Sequence, residues 1–198
     1  MIQVVRYVAV VVATLTLVGV AAAHITPPVV LVSDRDVLTS SLAGAQRLFV
    51  REVRLTPAER QAIQKQTGWS PDEDFYRFYI GRDAQGRPVA ATIFLTEYTV
   101  HGPVRVAVAL GPDGKVRGAT VVELTEETYP WMSPLLDPQA RFIAANLGKG
   151  LDSMAQFYGQ IVTNLIQRAT LLYDVGVLKR GDSANAAPEV TSPAAAGS

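Results

Sequence analysis

The chain has 198 residues, 48% of them hydrophobic and 18% charged, enough for one domain with a real core but hardly for two. Its 18 basic and 18 acidic residues cancel, so no broad field favours nucleic acid as a partner. There is no cysteine, and the only histidines are His24 and His101. This excludes disulfides, thiolate zinc sites, cysteine-ligated iron–sulfur clusters, cysteine-attached haem and a histidine-rich metal site.

In chain order, Arg6 precedes an uncharged apolar run from Tyr7 to Ala23. The run reads either as a signal peptide, with Ala21-Ala22-Ala23 as small residues for cleavage before His24, or as a short transmembrane anchor. In both cases Arg6 keeps the N-terminus cytoplasmic and sends the rest to the extracytoplasmic, periplasmic side, either exported after cleavage or anchored in the inner membrane. Residues 24–54 follow as a lead-in. Thr26-Pro27-Pro28 breaks a helix, and Val29 to Val32 is too short to classify. Ser33 to Ala45 suits a modest helix with Asp34 or Asp36 near its start, and Leu48 to Leu55 alternates as an early strand.

Thr56-Pro57-Ala58-Glu59 is a capping box with proline at the first helical position, which predicts a helix from Pro57 to about Gln66. Thr67-Gly68-Trp69-Ser70-Pro71 ends it. The carboxylates of Asp72-Glu73-Asp74 lack the alternating ligand pattern and glycine of a calcium loop and read as a solvated turn. Phe75 to Gly81 and Pro88 to Val100 are strands joined at Arg82-Asp83-Ala84-Gln85-Gly86-Arg87. Aromatic residues Phe75, Tyr76, Phe78 and Tyr79 occupy both faces of the first.

The stretch from His101 to Pro130 organises the rest. Pro103 to Leu110 and Val116 to Thr125 have strand character and flank the turn formers Gly111-Pro112-Asp113-Gly114-Lys115, which predicts a β-hairpin. Val104, Val106, Val108 and Leu110 share one face, destined for a core. The second arm exits into Glu126-Glu127-Thr128-Tyr129-Pro130, a position where a rigid sheet presents functional groups. With the Leu48 strand, these pieces predict an α+β fold: an antiparallel sheet of about four to five strands packed with helices, preceded by an N-terminal apolar helix.

Gln139 to Leu147 has helical character and ends at Gly148-Lys149-Gly150. From Leu151 to Tyr173 apolar residues recur at three- and four-residue spacing, predicting an amphipathic helix with Asp152 or Ser153 as N-cap and Gln156 completing a capping box with Ser153. Residues from Lys179 onward are small and proline-rich, cannot bury a core and read as a disordered tail. The Arg180-Gly181-Asp182 triplet within it is short enough to arise by chance.

The Asp113-Gly114-Lys115 turn, the apolar strand after it, the Glu127-Thr128 pair and the His101-Gly102-Pro103 entry together resemble the FMN-binding domain found on the extracytoplasmic side of bacterial membranes. The resemblance runs from about Leu55 to Tyr173 and implies a domain over residues 55–178. In such domains a Ser-Gly-Ala-Thr segment precedes the long helix, and its threonine can be joined to FMN through a phosphodiester. The equivalent residues here look like Ser153-Met154-Ala155-Gln156, where methionine replaces the glycine and glutamine, which has no hydroxyl, replaces the acceptor.

Three readings follow. The resemblance implies non-covalent FMN, with Ser153 and Gln156 near the phosphate and His101, Glu127, Thr128 and Tyr129 near the ring. Such a domain passes electrons between membrane electron-transfer subunits or cytochromes. The alternative is a flavin-free degenerate domain serving as an accessory or docking subunit of a membrane complex, with Tyr129-Pro130-Trp131-Met132 as a contact surface. A hydrolase built on Glu126, Glu127 and His101 ranks last, because no nucleophile motif supports it.

Overall fold

The computed structural model describes residues 27–148 and 150–179. In chain order these form β1 (Pro28–Val30), α1 (Asp34–Ser41), β2 (Arg47–Val53), α2 (Pro57–Thr67), β3 (Tyr76–Arg82), β4 (Pro88–Thr99), β5 (Gly102–Leu110), β6 (Val116–Thr125), α3 (Tyr129–Met132) and α4 (Ser153–Tyr173). Short 3-10 turns lie at Ser133–Leu135 and Ala144–Asn146, and a π turn at Asp174–Lys179 ends the described chain.

The valine-rich arms pair as expected. The β5–β6 hairpin closes where the Gly111 N–H donates to the Lys115 carbonyl at 2.8 Å, with Gly114 at φ 78°, a value that favours glycine. All strands pair antiparallel in the order β1-β6-β5-β4-β3-β2. The fold is thus α+β, with a multi-stranded antiparallel sheet packed against helices. There are six strands rather than four to five, because Pro28–Val30, too short to read alone, pairs with Glu123–Thr125. The lead-in therefore supplies both edges of the sheet.

Alternation decides which residues meet the helices. Val104, Val106, Val108 and Leu110 are fully buried and form one core with Phe78, Ile93 and Val121. The apolar stripe of α4, including Tyr158, Val162, Leu165, Ala169 and Leu172, closes that core. On the opposite face α1 lays Val37 over Ala107 and Val122. Arg105 ties α1 down by donating to both carboxylate oxygens of Asp34, at 2.6 and 2.7 Å. That pairing holds the Asp34 carboxyl below its ordinary range, against the opposing effect of partial burial.

The capping box at α2 forms in full: the Glu59 N–H donates to Thr56 Oγ1, and the Thr56 N–H donates to the Glu59 carboxylate at 2.7 Å. At α4 the N-cap is Asp152, whose carboxylate accepts from the Ala155 N–H at 2.8 Å. Gln156 Nε2 donates instead to the Leu151 carbonyl at 3.0 Å, so the expected Ser153–Gln156 capping box does not form.

Gln139 to Leu147 is not a helix beyond the turn Ala144–Asn146. Asp137 Oδ1 accepts the N–H groups of Gln139 and Arg141, at 2.8 and 2.9 Å, which turns the chain instead of starting a helix. The segment then runs beside β6, with the Val121 N–H donating to the Ala140 carbonyl and the Phe142 N–H to the Ala119 carbonyl.

The expectation of a membrane-spanning helix, and of an inner-membrane-anchored placement, is corrected as far as the described residues reach. Among the described residues no helix is long and apolar enough to cross a membrane. The long helix α4 is amphipathic, with Gln160, Asn164 and Gln167 forming an exposed polar face opposite its apolar stripe. The run from Tyr7 to Ala23, on which the signal-peptide and anchor readings rest, lies outside the described residues, as does the tail beyond Lys179.

Candidate functional site: the corner between the second hairpin and the long helix

The corner is built by the β4–β5 turn, the exit of β6, α3 and the first turns of α4. Thr99 organises the turn: its hydroxyl donates to the Gly102 carbonyl at 2.8 Å and accepts the His101 N–H at 3.1 Å. Its single proton being committed, the Tyr158 hydroxyl at 3.2 Å is the donor to it. Burial pushes the Tyr158 phenol up, the Thr99 hydrogen bond opposing this and Glu127 adding to it, so the ring stays a neutral donor.

Gly102 has φ 102°, and a Cβ there would stand 2.4 Å from Thr125 Cγ2, so the turn and the end of β6 fit together only through glycine. Thr125 Oγ1 donates to the His101 carbonyl at 2.8 Å, and Thr128, fully buried, donates its hydroxyl to the Thr125 carbonyl at 3.0 Å. His101 Nδ1 and Glu127 Oε1 are 2.9 Å apart; a carboxylate can only accept, so the Nδ1–H donates. Over this polar base lies a column of rings. His101 meets Trp131 edge-on at 5.1 Å, Trp131 stacks on Tyr158 at 5.6 Å, and Phe157 meets Tyr158 edge-on at 5.4 Å.

The structure thus brings α4 beside the acidic corner, and it brings His101, Glu127 and Thr128 together. Tyr129 lies on α3, two residues before Trp131, partly exposed. Ser153 and Gln156 do not join them: both are exposed, on the side of α4 away from the stripe that carries Tyr158. Sequence reasoning missed Thr99, Thr125 and Tyr158 as parts of the corner and saw Trp131 only as a surface ring. Tyr158 sits in the apolar stripe and the threonines close strands, so no local signal separates them from ordinary core and edge positions.

The donor set does not fit FMN. A phosphate at the start of α4 would meet the Asp152 carboxylate, which already holds the Ala155 N–H, while the Gln156 N–H donates to the Asp152 carbonyl at 3.1 Å. The buried Thr128 hydroxyl, which could approach a ring, is turned onto the backbone. The threonine hydroxyls of the corner all donate to main-chain carbonyls, so none of them is free to act as a hydroxyl nucleophile. A cavity of about 680 Å³ between Trp69 and α4, near Arg168 and Leu171, is lined by none of the corner residues.

No family model, curated protein or solved structure matches the chain, so a family assignment rests on its own residues.

Proposed function

We propose that this chain is a flavin-free, degenerate relative of the extracytoplasmic FMN-binding domains, acting as an accessory or docking subunit of a larger electron-transfer complex. The supporting likeness is the His101-Gly102-Pro103 entry, the Asp113-Gly114-Lys115 turn and the Glu127-Thr128 exit, with a long helix beside them. One observation turns the reading away from flavin: the Asp152 carboxylate caps α4 where a phosphate would be received, and repels it. His101, Glu127, Thr128 and Tyr158 then act as the framework of a rigid corner, and the partners are electron-transfer subunits or cytochromes.

The test is to express the full chain with FMN in excess, purify it, precipitate it with acid and record the visible spectrum of both fractions. The expected result is no flavin absorbance in either. Flavin released into the supernatant overturns the reading in favour of a non-covalent flavodomain; flavin retained on the precipitated chain shows an attachment residue other than those aligned here.

A further inference from the structure

β2 is an edge strand, paired with β3 over its whole length, from Arg47 opposite Arg82 to Val53 opposite Tyr76, without a register shift. Its outer side has no backbone partner among the described residues. Seven residues present roughly 23 Å of free N–H and C=O groups. Proteins blunt such edges with proline, a bulge, brevity or charged side chains; of these β2 has only its charges, which work against a like-charged strand and not against an acidic one. Leu48, Phe49 and Val50 are moreover consecutive exposed apolar side chains, at 54%, 45% and 54%.

The charge around this edge is one-sided. Arg47 and Arg51 lie on it and Arg54 just past its end, Arg77 and Arg82 lie across on β3, and the one carboxylate among them is Glu52. Glu52 is shared by Arg77 at 3.0 Å and Arg54 at 3.8 Å. Arg47 stands directly opposite Arg82 in the register, a pairing of like charges that costs stability. The Arg82 guanidinium lies over the Phe49 ring at 4.9 Å, and its buried Nε has no hydrogen-bond partner. Arg47 and Arg51 make no ion pair among the described residues. A second copy would bring this arginine-rich strand against itself.

We infer that β2 receives an extended segment of a partner protein as a seventh strand, one in which acidic residues alternate with apolar ones. The period of two fixes the pattern. On one face the added strand meets Arg47, Phe49 and Arg51, where carboxylates pair the two guanidinium groups; on the other it meets Leu48 and Val50, where aliphatic side chains complete an apolar strip. The inference rests on the docking reading for its biological use.

The probe is a fluorescent peptide of alternating glutamate and valine, tested against the full chain by anisotropy, with a lysine–valine peptide as control. Amide hydrogen exchange locates the binding. The acidic peptide is expected to bind at least about tenfold more tightly than the basic one, to slow exchange in Arg47–Val53, and to weaken as salt rises. Val50→Lys and Arg51→Glu, both outside the deep core, are expected to lose about tenfold in affinity with their circular dichroism unchanged. Equal binding of the two peptides, protection elsewhere, no binding, or a concentration-dependent dimer that protects β2 would each overturn the inference. Such failures leave the flavin assay untouched, and flavin found there leaves the peptide result standing.

Discussion

On its β6 side the sheet is closed twice over: β1 pairs with Glu123–Thr125, and the stretch around Ala140–Phe142 extends the cover along Ala119 to Val121. β1 itself is three residues long and begins with a proline, so little edge is left to template another strand. On the far side β2 is more than twice as long and holds Arg47, Leu48, Phe49 and Val50 in the open. The corner next to β1 shows the same contrast in its side chains. There each threonine hydroxyl, the Tyr158 phenol and the His101–Glu127 pair are satisfied by one another or by backbone, whereas the arginines along β2 outnumber their carboxylate. The site inferred from resemblance lies where the hydroxyls are already committed; the unpaired backbone edge is on the opposite side of the sheet.

The largest expected effect breaks the closed side. Gly102→Val forces a side chain into a positive φ and onto Thr125, and should cost about 3 kcal/mol in urea unfolding. Gly118→Val is the control: an added Cβ there meets nothing within 4 Å and its φ is ordinary, so stability should hold or rise slightly. If both variants lose equally, the corner is not the tightly fitted region described. Next in size, Tyr158→Phe removes the donor to Thr99 while leaving the stack on Trp131, an expected loss of about 1 kcal/mol.

A smaller effect distinguishes the face under α1. Asp34 is held below 3.8 in the folded chain, so its contribution is fully present above that value and fades as pH falls through the lowered one. The stability difference between the native chain and Asp34→Asn should therefore be constant near neutrality and vanish under strong acid. Because Asp34 is half exposed, the difference should be below about 1 kcal/mol. A difference that survives at low pH would mean the Asp34–Arg105 pair is not what fastens α1.

These contrasts also mark what the sequence could reveal. The α2 capping box, the β5–β6 hairpin and the stripe of α4 were legible because each is encoded within a few residues of itself. The segment after Pro138 misled, since apolar residues at helical spacing were overruled by one carboxylate, that of Asp137, turning the backbone. β1 was illegible because three residues have no measurable period, and its pairing with Glu123–Thr125 is set by a strand almost a hundred residues away. At the corner His101, Glu127 and Thr128 lie as neighbours, but the direction of Ser153 and Gln156 depended on which residue capped α4. Asp152 did so, one position before the other candidate.

The smallest expected effect on stability separates the two edges most sharply. Leu48 and Val50 are more than half exposed and face away from the α4 core, so Leu48→Lys or Val50→Lys removes little buried area. Each should change unfolding free energy by about 0.5 kcal/mol or less. On the closed side, Val29→Lys removes a side chain packed against the core in β1 and should cost more. The apolar side chains of β2 would then be shown to contribute almost nothing to the isolated fold, which leaves them open to an added strand. Should Val50→Lys instead destabilise as much as Val29→Lys, β2 would be a supporting element like β1, and the difference between the two edges would reduce to one of length.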